Sequence, residues 1–197
     1  TSIIPLFMLN YSIPMGIADY YFNKAKKQFA VGQIKNGDLT LRLAAKWNPN
    51  SIRIKYQQFL FYRIALSSIS NTALLSEREA LYINALSVLN NIEDINPLSG
   101  VVHQSRGNLL IENTDIIPEG WENRAVDEFK KALRLNPRLF KARLALARLL
   151  LKRGHLNEAV LLMNKGVSYQ YPGFHYGLDE FYKYAIDLNL MNGDTTK

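Results

Sequence analysis

Three histidines, His103, His155 and His175, are the only imidazoles in the chain. His155 and Glu158 stand three apart, a spacing that puts both on one helix face, where an imidazole and a carboxylate can grip one metal. Two ligands do not make a site, and the simpler reading is a solvent-facing pair in the first turn of a helix. Cysteine is absent, which removes thiol nucleophiles, Cys-ligated zinc, iron–sulfur clusters and disulfides. The 11 glycines are not arranged as a phosphate-cradling loop requires. The carboxylate pairs Glu93-Asp94 and Asp179-Glu180 fall at helix ends or on a terminal helix, where they favour the dipole or stay solvated. No catalytic residue, cofactor or metal ligand is assigned, and this chain alone is not read as an enzyme.

The charge pattern carries more information. Lys and Arg number 24 against 17 Asp and Glu, a net charge of +7, which favours acidic partners over basic ones. From residue 130 to 153 every charge is positive: Lys130, Lys131, Arg134, Arg138, Lys141, Arg143, Arg148, Lys152 and Arg153. Two readings of this run stand open. One is a solvated face with no partner; the other is docking of an acidic protein or peptide, or of an anionic glycolipid. Nucleic acid ranks last, because Phe140 is the sole aromatic in the run and stacking platforms need several.

The elements that position these charges follow from self-similarity. Shifted by about 34 residues against itself, the chain lays Gly120 on Gly154, Ala125 on Ala159, Phe129 on Met163 and Ala132 on Gly166. Gly32, Gly37, Leu41, Ala44 and Pro49 repeat the spacings of Gly120, Ala125, Phe129, Ala132 and Pro137, and Gly107 with Leu110 follow Pro97 as Ala147 with Leu150 follow Pro137. Small residues fall on small and large on large. The unit is a helix hairpin: Ala147, Ala159 and Gly166 let two backbones approach, Leu146, Leu150 and Met163 fill the gaps, and Asn-Pro closes the second helix. Helices are expected over residues 17–31, 37–47, 51–69, 76–92, 98–112, 121–135, 139–153, 155–167 and 174–190. Ser76 to Glu79 read as a capping box opening the fourth, with Ala80, Leu81, Ala85, Leu86 and Leu89 on its packed side. Residues 67–75 and 113–120 read as insertions.

This pattern resembles the tetratricopeptide repeat, a helix–turn–helix unit that stacks into a solenoid. The resemblance implies an all-α, TPR-like array of about four hairpins over residues 17–172, the second degenerate. Residues 173–197 then supply a polar-backed capping helix and tail, and residues 1–16 an apolar lead-in. Such arrays bind through the groove lined by the first helix of each hairpin. On helical spacing the groove should display Asp19, Phe22, Lys26 and Phe29, then Arg53, Tyr56, Leu60 and Arg63, then Gln104 and Asn108, then Lys141, Leu144, Arg148 and Lys152. Lys26, Arg53, Tyr56, Arg63, Asn108, Lys141, Arg148 and Lys152 are the expected partner-binding residues. Inter-repeat core is the competing reading for Phe22, Tyr56 and Leu60, and Arg148 and Lys152 on the convex side or in salt bridges with Asp179 and Glu180 would decide against the anion-binding groove in favour of a solvated face. The two-carboxylate clamp of chaperone-docking members is not expected, since its positions hold Phe22, Lys26, Gln57, Val101 and Ser105.

The order of features adds a second resemblance. An apolar lead-in is followed by Ala-Asp-Tyr-Tyr-Phe-Asn-Lys-Ala at 18–25, an Asn-Pro unit, a Tyr-rich helix, and Arg106-Gly107-Asn108-Leu109-Leu110 ahead of the clearest repeats. This looks like the C-terminal region of bacterial O-antigen ligase or polymerase-type membrane proteins. It implies a fragment of a longer chain on the extracytoplasmic side of an inner membrane, with residues 1–16 as the possible end of a membrane helix. The lead-in alone is too short to span a bilayer, which takes about 20 residues, and Pro5 and Pro14 are expected to interrupt it. Lys24, Lys26, Lys27 and Lys35 favour the cytoplasmic alternative through the positive-inside bias, and with it a free-standing adaptor for an acidic peptide.

Overall fold

The computed structural model describes residues 4–69, 75–117, 119–169, 171 and 175–193, with side chains from residue 12 onward. Among them are nine α-helices: α1 (Ile4–Ala30), α2 (Ile34–Trp47), α3 (Ile52–Ser68), α4 (Leu75–Ile95), α5 (Gly100–Glu112), α6 (Trp121–Leu135), α7 (Phe140–Lys152), α8 (Leu156–Val167) and α9 (Leu178–Met191). They fall into two units, Thr1–Pro97 and Leu98–Lys197.

The Asn-Pro pairs set where helices stop. Proline bars the residue before it from helical geometry, and α2, α4 and α6 end one residue ahead of Asn48, Asn96 and Asn136. Each of these asparagines still donates its N–H to the carbonyl four residues back, in Ala44, Ile92 and Ala132. The chain then turns, with Ser51 N–H reaching Asn48 O and Leu139 N–H reaching Asn136 O, both at 3.2 Å. Ser51 caps α3, its side chain accepting from Ile54 N–H. Within a hairpin the sharper bend uses glycine: Gly154, at φ 78°, follows α7, and the His155 N–H doubles back to Leu150 O while the Gly154 N–H reaches Leu151 O. Gly32 does the same after α1. These paired hydrogen bonds satisfy carbonyls that a helix end otherwise leaves orphaned.

In the first unit, α1 packs on α2 and α3 on α4. Ala18, Phe22, Ala25, Leu41, Ala44 and Ile54 form one core, with Tyr21, Phe29 and Ala45 against it. Gly37 lies so close to the Phe29 ring that a Cβ there would stand 2.5 Å from it. The lead-in is not a separate segment, because α1 runs unbroken from Ile4 through Pro14 to Ala30 and crosses the boundary expected at residue 16. Pro5 lies in the first turn, where its missing N–H costs nothing, whereas Pro14 forgoes one helical bond without ending the helix. No helix among the described residues is long and apolar enough to cross a membrane. Helix α4 also differs from expectation. It is already helical at Leu75, so Ser76 lies within the helix and not at its cap, and the buried stripe is Arg78, Tyr82, Ala85, Leu89 and Ile92, with Ala80 exposed. The larger Tyr82 takes the inner face in place of Ala80. Of the insertion at 67–75, residues 70–74 lie outside the described residues, and its ends belong to α3 and α4.

In the second unit, hairpins α5/α6 and α7/α8 pack in succession and α9 closes against α7 and α8. The repeat register holds residue by residue: Ala125, Phe129, Ala132, Ala147, Ala159 and Met163 are fully buried. A Cβ on Gly107 would stand 2.6 Å from the Phe129 ring, and one on Gly166 would overlap Arg143 Cδ and approach the Phe181 ring to 2.7 Å. His103 and Arg143 occupy the same place in successive hairpins, and both are buried. His103 Nδ1 lies 2.7 Å from Glu128 Oε2. Arg143 donates to Leu162 O at 2.9 Å and to Pro137 O at 2.7 Å. Burial pushes the Arg143 guanidinium down from its ordinary pKa, opposed by the Tyr171 and Tyr169 hydroxyls beside it. Helix α9 buries Phe181, Ala185 and Leu188, and its outer side carries the expected Asp179, Glu180, Lys183 and Asp187 mixed with apolar residues. Exposed among them are Ile186, Leu190 and Met191.

Two substitutions test this packing. Ala159→Leu forces a larger side chain into a fully closed contact and should cost about 1–3 kcal/mol by overpacking. Arg143→Leu removes the donors to Pro137 O and Leu162 O, leaving acceptors short of partners, and should cost about 1–3 kcal/mol. Thermal unfolding followed by circular dichroism reads both, and an unchanged midpoint for Ala159→Leu would contradict the register.

Candidate functional site

Four of the expected binding residues belong to the first unit. Arg53, on α3, forms an ion pair with Asp19 on α1 and lays its guanidinium over the Phe22 ring, 4.4 Å from the centroid. Lys26, one turn along α1 from Phe22, is exposed, with its ammonium 5.9 Å from the same ring. The structure thus gathers Asp19, Phe22, Lys26 and Arg53, but Phe22 is buried and belongs to the core. Tyr56 is half-buried, tilted against Phe59 at 5.7 Å, and Leu60 and Arg63 are half-buried on the same helix. The core reading therefore holds for Phe22 and in part for Tyr56 and Leu60.

The other four belong to the second unit, and there the expected groove meets its contrary condition. Arg148 reaches from α7 to Glu180 on α9 at 2.6 Å, its guanidinium 5.3 Å from the Tyr184 ring centre. Lys152 reaches the other way, to Glu122 on α6 at 2.7 Å, and stands 5.0 Å from the Trp121 ring. Arg153 joins the same carboxylate and donates to Asn123 Oδ1 at 2.7 Å. These bonds hold the Glu122 carboxyl below its usual range, the hydrogen bond from Lys152 contributing most. Leu144, expected on the groove, is buried. Lys141 is exposed between the Phe140 and Tyr176 rings, and Asn108 is half-buried on α5. Arg148 and Lys152 are therefore ties between helices before they are anion receptors. Helix α7 lies between α6 and α9, and cations at its exposed corners meet the acids in the first turns of both neighbours.

Among the exposed cations that form no ion pair within the described residues, five gather on α6 and α8 and in the link after α6. Lys130, Lys131 and Arg134 on α6, Arg138 after it, and Lys165 on α8 are all exposed. Three of them border a groove of about 650 Å³ between α6 and α8. One wall is Lys130, Leu133 and Arg134 of α6 with Pro137 just after it, the other Glu158, Leu161, Leu162 and Lys165 of α8 with Tyr169 just after it, and α7 supplies the floor with Leu146, Leu150 and Arg143. Leu161 is 71% exposed despite its place in mid-helix. Glu158 is held by His155 Nδ1 at 2.8 Å, which accounts for the pair weighed as metal ligands. No group of three or more His, Asp or Glu able to hold a metal occurs among the described residues. This groove lies between second helices, the side that attention to first helices passes over. Its signal in the sequence is Leu161, a leucine where the preceding repeat carries Asp127.

Comparison with known proteins agrees with this architecture. Residues 128–160 match the tetratricopeptide repeat family. No curated protein sequence matches the chain. Among solved structures, the chain is similar to TTC0263, a thermophilic TPR protein of Thermus thermophilus, with a TM-score of 0.64 at 22% identity over 88% of this chain and 81% of that one. It is similar to PilW, a type IV pilus biogenesis factor, with a TM-score of 0.60 at 13% identity over 90% and 71%. It is also similar to MamA, at 0.58 and 15% over 86% and 85%. Hairpins closed by Asn-Pro, small residues at each helix crossing and a matched unit at 128–160 lead to one conclusion: this is an all-α chain with the tetratricopeptide-repeat fold.

Proposed function

We propose that this chain is a non-catalytic binding module that recruits an acidic segment of a protein partner to its second unit. The fold belongs to protein-interaction and assembly modules. The observation that carries the acidic preference is the residue of charge left after internal pairing. Arg148, Lys152 and Arg153 are matched by Glu180 and Glu122, whereas Lys130, Lys131, Arg134, Arg138 and Lys165 have no such acid among the described residues. A like-signed cluster beside low-dielectric helix walls raises the local concentration of a polyanion. A protein partner is favoured over a lipid headgroup because the cations border an apolar groove, which suits side chains.

The continuity of α1 through the lead-in supports a second reading of context, taken from the order of features in the sequence. In it the chain is the extracytoplasmic appendage of an O-antigen ligase-like membrane protein, with α1 leading out of a membrane span encoded upstream. The gene sequence preceding Thr1 tests it: a series of apolar spans supports the appendage, and a hydrophilic start supports a free-standing adaptor.

The charge reading predicts binding of a glutamate-rich peptide that weakens as salt rises, because such contacts are screened over about 10 Å at 0.1 M ionic strength. Reversing Lys131 and Arg138 to Glu should weaken that binding severalfold while changing stability by no more than about 0.5 kcal/mol, as for other exposed sites. Fluorescence anisotropy at two salt concentrations reads the effect. Equal binding of a lysine-rich peptide would sink the proposal.

A further inference from the structure

We infer that the groove between α6 and α8 is itself the docking site, and that its occupant is an amphipathic acidic segment of a partner protein, apolar residues inward and carboxylates on the rim. This rests on the preceding reading and narrows it to one surface. The walls come from residues spaced one helical turn apart, so each helix presents a continuous edge. Lys130 and Arg134 stand on one rim and Lys165 on the other, with Leu133 and Leu162 half-buried between them and Leu161 exposed on the α8 edge. The floor, Leu146 and Leu150, belongs to α7 and is itself buried.

Two features of this groove suit an amphipathic acidic segment. Leu161 spends 71% of its surface on water in the middle of a helix, a position that the preceding repeat fills with Asp127. Apolar residues inside a charged border are the arrangement by which an amphipathic segment is held, anchors in the groove and charges at the edge. The second feature is the sign of that border. Three cations stand on the rim and Arg143 in the floor, against one acid, Glu158, and that acid already has a partner in His155. An occupant lined with lysine or arginine would meet uncompensated repulsion, and a neutral one would leave the rim unmatched. A carboxylate-flanked apolar segment matches both layers. The floor is also rigid, because Arg143 ties Pro137 O at the end of the α6 wall to Leu162 O in the α8 wall. The groove therefore keeps its width without a ligand, which lowers the ordering cost of binding.

The test uses the full chain and two synthetic peptides of one composition. In the first, leucines at i and i+4 are flanked by glutamates; in the second, the same residues are scrambled so that no apolar face forms. The first peptide should bind more tightly than the second. Leu161→Gln should weaken it about tenfold, in the range of an interface anchor, without altering its salt dependence. Arg134→Glu with Lys165→Glu should weaken it and flatten the salt dependence. Leu161 is exposed, so circular dichroism should show an intact fold in each variant. If Leu161→Gln binds as the parent does, or the scrambled peptide binds equally, the docking site is elsewhere while the acidic preference stands. If neither peptide binds, both readings fall. Capture by vesicles rich in anionic lipid with no binding of either peptide would likewise overturn the protein occupant.

Discussion

The close approach of helix backbones at small residues is the constraint on which the structure depends. The two helices of a hairpin close on each other by seating a large side chain of one against a glycine of the other. Phe129 lies against Gly107, Phe29 against Gly37, and Arg143 and Phe181 against Gly166. With no Cβ at these positions the rings enter as far as the backbone, and a methyl group would collide with them. Dense packing of this kind transmits small volume changes. The Asn-Pro stops and the glycine bends matter because they deliver each large residue opposite its small one.

Charge plays a secondary part in the fold and a primary part at the surface. Exposed ion pairs such as Arg148 with Glu180 and Lys152 with Glu122 each contribute little to stability. Their effect is selective: they withdraw certain cations from the pool that a partner meets. What is left on α6 and α8 is a positive rim around leucines. The same basic run thus serves two ends, binding α7 to its neighbours at one set of positions and facing solvent at another.

The hairpins are legible in the sequence because spacing of small and large residues is a local property. Ala125, Phe129, Ala132, Ala147, Ala159, Met163 and Gly166 can be placed from their intervals alone, and all are buried. The expected binding face is less legible. Arg148 and Glu180, or Lys152 and Glu122, are about thirty residues apart, so their pairing appears only once α6, α7 and α9 are packed. Periodicity identifies a helix face without saying which neighbour covers it, and it places Leu144 on a groove although that residue is buried. The inner side of α4 is hard to read for a related reason, because Ala80 and Tyr82 both suit a packed face and only the partner helix selects Tyr82. Pro14 reads as an interruption, but one lost hydrogen bond in a helix of 27 residues is offset by its neighbours.

Arg143 has a consequence for the way the second unit moves. Its two carbonyl contacts, Pro137 O in the link after α6 and Leu162 O on the second turn of α8, span three helices from one side chain. Separating α8 from α7 breaks the contact with Leu162 O, and loosening the turn between α6 and α7 breaks the contact with Pro137 O. Either opening thus costs a hydrogen bond of one buried side chain, which couples the α6–α7 link to α8 and favours their opening together. A segment lying across α6, α7 and α8 would slow amide hydrogen exchange in all three helices at once, including α7, whose amides lie beneath the groove floor.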